Sequence, residues 1–266
     1  MHRTRVGDVE IVSLDDFQFR FDPARVWPDA GEGIEAYRDR LEDRQTLYMD
    51  DLCFLLRADG QTVLVDTGMG PESDGKLLDE MRAAGVDPFE VDAVVFTHLH
   101  GDHVGWNIDR ATGAPLFANA RYLVPRADWD HYDAESPPDG AFVRDVKPLA
   151  ATGQLDLIEG EHEITRSLVT VATPGHTPGH TSVAITSQGE RGFILGDVFL
   201  TSIDVEQPDW SSTFDSDMDV ARRTRHAVLE RLEREGSLVG AAHLVSPGLG
   251  RVVRGASGRV WQGIEL

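Results

Sequence analysis

Three histidines and a carboxylate fall within His98-Leu99-His100-Gly101-Asp102-His103, directly behind the apolar run Ala93-Val94-Val95-Phe96. The run has the length and composition of a strand, so its exit carries a set of metal-ligand side chains, which is where sites of layered α/β folds lie. In extended backbone beyond the strand end, His98 and His100 point to one side. Asp102 and His103 come where the chain turns and can face a second point nearby, and Gly101 and Gly105 permit close backbone approach. Imidazole nitrogen and carboxylate oxygen suit zinc, manganese, iron or cobalt. Two neighbouring ions fit the arrangement better than one, provided further ligands arrive from elsewhere.

The rest of the chain repeats the pattern of an apolar strand with a ligand-type residue at its exit. Ser167–Ala172 runs into Thr173-Pro174-Gly175-His176-Thr177-Pro178-Gly179-His180-Thr181, in which Pro-Gly-His-Thr occurs twice. Its prolines and glycines forbid regular structure and leave two histidines on a stiff loop, one expected to be a ligand and the other to lie behind it or face substrate. Gly192–Leu195 ends in Gly196-Asp197, a carboxylate able to bridge two cations, and Leu238–Ala242 delivers His243. The coincidence of Phe96/His98, Ala172/His176, Leu195/Asp197 and Ala242/His243 argues far more strongly than any one pair.

Around these lie the remaining expected elements. Val9–Leu14, Leu52–Leu56 and Thr62–Val65 read as strands, the last two joined by Asp59-Gly60. Lys76–Ala84 and Arg126–His131 read as helices, as does a stretch within Asp215–Glu235 that Asp217 can cap. Arg121–Val124, Leu155–Ile158 and Ser182–Thr186 are further strands, and Arg251–Arg254 with Arg259–Trp261 a closing hairpin. Asp15–Asp50 stands apart, mixing aromatic and acidic residues with Pro23, Pro28, Gly31 and Gly33. It reads as an excursion from the core, serving as a lid, a homodimer contact or a plain surface loop. The expected organisation is one domain over residues 1–266.

Composition excludes several partners. The formal net charge is −21, with no basic patch to reverse it, so neither nucleic acid nor an anionic membrane surface is an expected partner. The single cysteine, Cys53, lies in Leu52–Leu56 and reads as a buried, inert thiol. Met1-His2-Arg3-Thr4-Arg5 is not followed by the apolar stretch of a secretion signal, and no run approaches membrane-spanning length, so a cytoplasmic location is expected.

With these motifs in view, the sequence resembles the metallo-β-lactamase superfamily. His98-Leu99-His100-Gly101-Asp102-His103 matches its His-x-His-x-Asp-His signature, Asp66-Thr67-Gly68 its preceding turn, and His176, Asp197 and His243 its later ligand motifs in order. The resemblance spans about Val9 to Trp261. It implies an α/β fold, the αββα sandwich, with two mixed sheets face to face, helices outside and the metals at one edge. It also implies that His98, His100 and His176 hold one ion, that Asp102, His103 and His243 hold the other, and that Asp197 bridges them. The two divalent ions would be zinc first, with manganese, iron or cobalt as alternatives. Phe214-Asp215-Ser216-Asp217 and Ala241-Ala242-His243-Leu244 look most like the branch of lactonases and methyl-parathion-type hydrolases.

The implied activity is hydrolysis of a small-molecule lactone or ester by a metal-bridging hydroxide, with Asp102 as the catalytic proton carrier. An organophosphate triesterase or a glyoxalase II-like thioesterase is the alternative. Phe199, His180 and Trp106 are the expected substrate-facing residues. Asp197 is followed by Val198-Phe199-Leu200-Thr201, without the tyrosine that lactonases of this branch carry there.

Overall fold

In the computed structural model, which describes residues 2–256 and 258–264, the strands fall into two sheets that follow chain order. The first is 7-stranded and comprises β1 (His2–Val6), β2 (Val9–Phe21), β3 (Leu47–Ala58), β4 (Gln61–Val65), β5 (Ala93–Val95), β6 (Arg121–Pro125) and β7 (Leu155–Ile158), in that spatial order. Pairing is antiparallel from β1 to β4 and parallel from β4 to β7. The second, also 7-stranded, comprises β8 (Glu163–Thr165), β9 (Leu168–Ala172), β10 (Thr181–Ser187), β11 (Glu190–Ile194), β12 (Leu238–Gly240), β13 (Leu249–Arg254) and β14 (Arg259–Gly263). It is antiparallel except between β11 and β12.

The middle of β3, Leu52–Leu56, shows why a strand can be continuously apolar rather than alternating. Leu52, Phe54 and Leu56 face the second sheet, packing with Val183, Ile185, Ile194 and Leu249. Cys53 and Leu55 face the other way, against helix α2 (Leu77–Ala83) through Leu77 and Met81. Both faces are covered, so both sets of side chains must be apolar. Helix α3 (Arg126–Glu135) packs Trp129 and Tyr132 on the same outer face. Cys53 is fully buried, and burial pushes its thiol well above the usual range.

The second sheet is backed by helix α5 (Met218–Glu235), beyond the short α4 (Ser202–Glu206). Asp217 caps α5 by accepting from the amides of Asp219 and Val220, and Gly236 ends it in the left-handed conformation. Val228, Leu229 and Leu232 cover Phe193, Leu195 and Val239. The layers are therefore helix, sheet, sheet, helix. Every strand expected from sequence forms, within shifted bounds, and β1 and β8 are additional.

The largest difference lies in the excursion. Strand β2 runs on to Phe21 and β3 begins at Leu47, with Asp15↔Leu52 and Phe21↔Leu47 in register across a bulge at Asp16. Phe17, Phe19 and Phe21 alternate as strand residues do, a signal obscured by the polar residues between them. Only residues 22–46 leave the sheet. They form α1 (Pro23–Val26; the helices are numbered in chain order) and a 3₁₀ segment, Gly31–Arg40. Their core of Val26, Trp27, Tyr37 and Leu41 closes on Leu200 and Ile203. The Trp27 indole donates to Asp204 at 2.8 Å, and Gln207 Nε2 donates to the Tyr37 hydroxyl at 2.8 Å. The excursion is thus pinned to the segment that follows Asp197.

Candidate metal centre

All four strand exits open on the same edge of the sandwich, where the side chains converge. His98 Nε2 lies 3.0 Å from His100 Nδ1, which lies 2.9 Å from His176 Nε2. Asp197 Oδ2 is 3.3 Å from His176 Nε2, 3.1 Å from His243 Nε2 and 3.9 Å from His98 Nε2, while its Oδ1 is 3.5 Å from His103 Nε2. Asp102 approaches His103 Nε2 at 3.9 Å and His243 Nε2 at 3.7 Å. The donor atoms thus group as His98/His100/His176, His98/His103/Asp197 and Asp102/His103/His243, each set within 4.8 Å.

The far nitrogens fix which atoms are lone pairs. His98 Nδ1 lies 3.1 Å from the Thr97 hydroxyl, whose own proton goes to Asp66. His103 Nδ1 faces Asp66 Oδ2 at 2.9 Å, His176 Nδ1 faces Asp215 Oδ1 at 3.0 Å, and His243 Nδ1 faces the Asp50 carbonyl at 2.9 Å. Each Nδ1 therefore carries a proton and donates, which makes Nε2 the nitrogen that can offer a lone pair once any proton on it is displaced. These nitrogens point at one another and at carboxylate oxygens. His103 Nε2 and Asp197 Oδ1 are buried with no hydrogen-bond partner among the described residues. Ligand-type atoms that converge, two of them buried and unpartnered, are what a cation site offers, so the residues fit two divalent ions.

The charge distribution agrees. Burial holds the His98 imidazole well below its usual pKa, and His103 lowers it further. Burial would also lower His243, but Asp197 and Asp102 reverse this and lift it to about 9. Burial would raise Asp197, but His243 and His103 hold it well below the usual carboxylate range. Positive charge is favoured where Asp102 and Asp197 face His103 and His243.

A scaffold of buried carboxylates holds the loops. Asp128, fully buried on α3, accepts from the Leu99 amide at 3.2 Å, the Thr177 hydroxyl at 2.8 Å and the Gly179 amide at 2.6 Å. It ties the loop of His98 to the loop of His176. Asp215 is in turn met by Arg225 Nη2 at 3.3 Å, and Arg225 also donates to the carbonyls of Val198, Pro208 and Trp210. Asp66 accepts from the Thr97 amide and hydroxyl at 2.8 and 2.7 Å. The sequence offered hints of Asp66 and Asp215 within recognisable motifs. Asp128 carries no such hint, being one charged residue among many on a polar helix.

The centre opens on a cavity of about 610 Å³. One wall is apolar, with Phe19, Phe21, Met49, Leu200 and Phe214, while Glu72, Ser73 and Arg144 line the rim. Phe21 and Phe214 are 5.3 Å apart by ring centroids, which joins the excursion's base to the segment before Asp215.

The three expected substrate residues do not line this cavity, and His180 takes the supporting one of its two expected places. Phe199 is fully buried in the core behind the site and packs on Trp261 at 6.2 Å, because its side chain turns toward the helix layer rather than the opening. His180 is buried, and its Nε2 accepts from the Asp197 amide at 2.9 Å, so it supports the backbone of Asp197 from behind. Trp106 is partly buried against the core, and its indole donates to Asp16 Oδ1 at 3.0 Å. Phe19, Phe21 and Met49 of the apolar wall come from β2 and β3, within the Asp15–Asp50 stretch expected as an excursion, and Leu200 and Phe214 from the segments after Asp197.

A sandwich of two mixed sheets with a histidine- and aspartate-rich edge defines a class of metal-centre proteins. The chain belongs to the metallo-β-lactamase superfamily, whose family model matches residues 51–249. Among curated relatives, an N-acyl homoserine lactonase of Bacillus sp is 28% identical over 204 residues, covering 67% of this chain and 76% of the relative. Another, from Bacillus cereus, is 29% identical over 166 residues, 54% of this chain and 60% of the relative. Among solved structures, AidC, described as a dizinc quorum-quenching lactonase in complex with a product, superposes with a TM-score of 0.87 at 22% identity, covering 100% of this chain and 97% of that one. The hydrolase AbOPH superposes with a TM-score of 0.88 at 22% identity, covering 100% and 97%.

Proposed function

We propose that the protein is a dinuclear metallohydrolase that opens the lactone ring of a small molecule, with zinc in both sites. The observation that carries the reading is the convergence of the donor atoms at the floor of a cavity with an apolar wall. The N-acyl homoserine lactonases among its relatives support the same substrate class. Divalent cations held there supply Lewis acidity, which polarises a carbonyl and makes water acidic enough to attack at neutral pH.

The chain's own residues divide the remaining work. His98, His100 and His176 would hold one ion, His103, Asp102 and His243 the other, with Asp197 between the two groups. Asp102 retains 24% side-chain exposure against 4% for Asp197, so it is the carboxylate that can reach substrate. It takes a proton from the attacking water and returns it to the departing alkoxide. Phe19, Phe21 and Phe214 receive an apolar acyl tail and exclude water from it.

The test is a hydrolysis screen over N-acyl homoserine lactones, aryl esters, a phosphotriester and a glutathione thioester, with metal content measured on each sample. Chelation is expected to abolish lactone opening, and zinc, manganese or cobalt to restore it. Activity persisting in metal-free protein overturns the reading, and so does exclusive turnover of another substrate class. Asp197→Ala is expected to lose metal as well as rate.

A further inference from the structure

We propose that Arg144 forms a subsite of the cavity for a neutral carbonyl oxygen, the amide of an N-acyl substituent, and thereby selects acylamino lactones over plain ones. The inference rests on the lactone reading. Arg144 belongs to a π-helical turn, Phe142–Val146, whose preceding Ala141 abuts the metal loop: a Cβ on Gly101 would lie 3.4 Å from the Ala141 side chain. Arg144 therefore lines the same cavity as His100, Gly101 and Asp102.

Its guanidinium is held from behind. Nε and Nη2 donate to Asp145 Oδ2 at 3.0 and 2.8 Å, and Asp145 is fully buried. The other Asp145 oxygen lies 2.7 Å from Arg110 Nη2. Arg110 also donates to the Gly105 carbonyl at 3.1 Å and the Ile108 carbonyl at 2.9 Å, both in the loop that follows His103. Arg144 is thus tied to the metal loop through the Asp145 and Arg110 ion pairs. Its Nη1 makes no hydrogen bond or ion pair among the described residues.

The local charge decides what that donor suits. Arg110 is also paired with Glu72, whose carboxyl its hydrogen bonds hold down at about 2. Arg110 and Arg144 are therefore balanced by Glu72 and Asp145. The rim offers a fixed hydrogen-bond donor without excess positive charge, which matches a neutral carbonyl better than an anion. The apolar wall of Phe19, Phe21 and Phe214 lines the same cavity and can take the tail.

The test compares wild type, Arg144→Met and Arg144→Lys, all metal-loaded, on N-hexanoyl-homoserine lactone and on an α-alkyl γ-butyrolactone of equal length without the amide. Arg144→Met is expected to lower kcat/KM for the amide-bearing lactone about tenfold or more, mainly through KM, and to leave the plain lactone within about twofold. Arg144→Lys, which keeps a donor and the charge, falls between. Equal losses on both lactones, or none, overturn the inference. A carboxylate-bearing lactone preferred over the amide, with that preference lost in Arg144→Met, overturns the neutral-carbonyl assignment. If wild type opens neither lactone, the lactone reading itself fails. Calorimetric binding of the two ring-opened products to wild type and Arg144→Met then decides the subsite, and an unchanged preference overturns it.

Discussion

The backbone amide of Asp197 donates to Nε2 of His180 at 2.9 Å, and this bond is the end of a directed chain. His180 Nδ1 lies 2.9 Å from the Thr173 hydroxyl, which lies 2.9 Å from the Ser182 hydroxyl, which donates to the Leu195 carbonyl at 2.8 Å. The last donor settles the direction of every other bond, so His180 is neutral and carries its proton on Nδ1. The chain begins and ends on the short segment that carries Asp197. Gly196 stands between, at φ +62°, where a Cβ would come within 2.6 Å of His180 Nε2.

A pH dependence of stability follows. Burial, with His176 next, pushes the His180 imidazole down to about 3, against about 6.5 for an unfolded histidine. Between those values the unfolded chain binds more protons, so this contribution is complete above pH 6.5 and is lost as pH falls toward 3. His180→Gln does not titrate. Wild type is expected to be more stable than the variant by about 1–3 kcal/mol at pH 7.5, and the gap to shrink by about 1 kcal/mol per unit below pH 6.5. Urea unfolding of both proteins at several pH values measures it, and a pH-independent gap counts against the account.

Asp128 predicts a shared failure of both metal loops. Replacing it with Ala leaves the amides of Leu99 and Gly179 and the Thr177 hydroxyl without their acceptor. A stability loss of about 3 kcal/mol or more is expected, together with reduced metal content. Asp128→Asn keeps one acceptor oxygen and should fall between. Thermal melts and elemental analysis read the two effects separately, and full metal occupancy in Asp128→Ala would contradict a positioning role.

Metal binding should release protons. With His243 lifted to about 9, the metal-free centre holds a proton there at pH 7.5 that a cation must displace. Apparent affinity is therefore expected to rise with pH up to about 9, by as much as about tenfold per unit. Calorimetry in buffers of different ionisation enthalpy counts the protons. A pH-independent affinity from pH 6.5 to 8.5 speaks against this charge state.

Chain-length selectivity should follow the aromatic wall. Phe214→Ala removes contact area from a long acyl tail and little from a short one. We expect kcat/KM for a ten-carbon acyl lactone to fall about tenfold and that for a four-carbon one to fall less than about threefold. Equal effects on both would place the tail elsewhere.

The sequence by itself determined the donor residues and the order in which strands deliver them. Each is a ligand-type side chain beside an apolar run, and both signals are local. It also determined the layered fold, because strands such as Leu52–Leu56 and Ala93–Val95 are apolar on both faces and must be covered twice. Only the tertiary structure decided which aromatic residues face the cavity. Phe199 follows Asp197 yet turns into the core, while Phe19 and Phe21 sit far from every ligand in sequence and line the wall through a sheet that only long-range pairing creates. The same holds for Asp128 and Arg144, and for which of its two expected places His180 takes. Their roles depend on which backbone amides and carboxylates lie within hydrogen-bond reach across the fold, and no local pattern encodes that proximity.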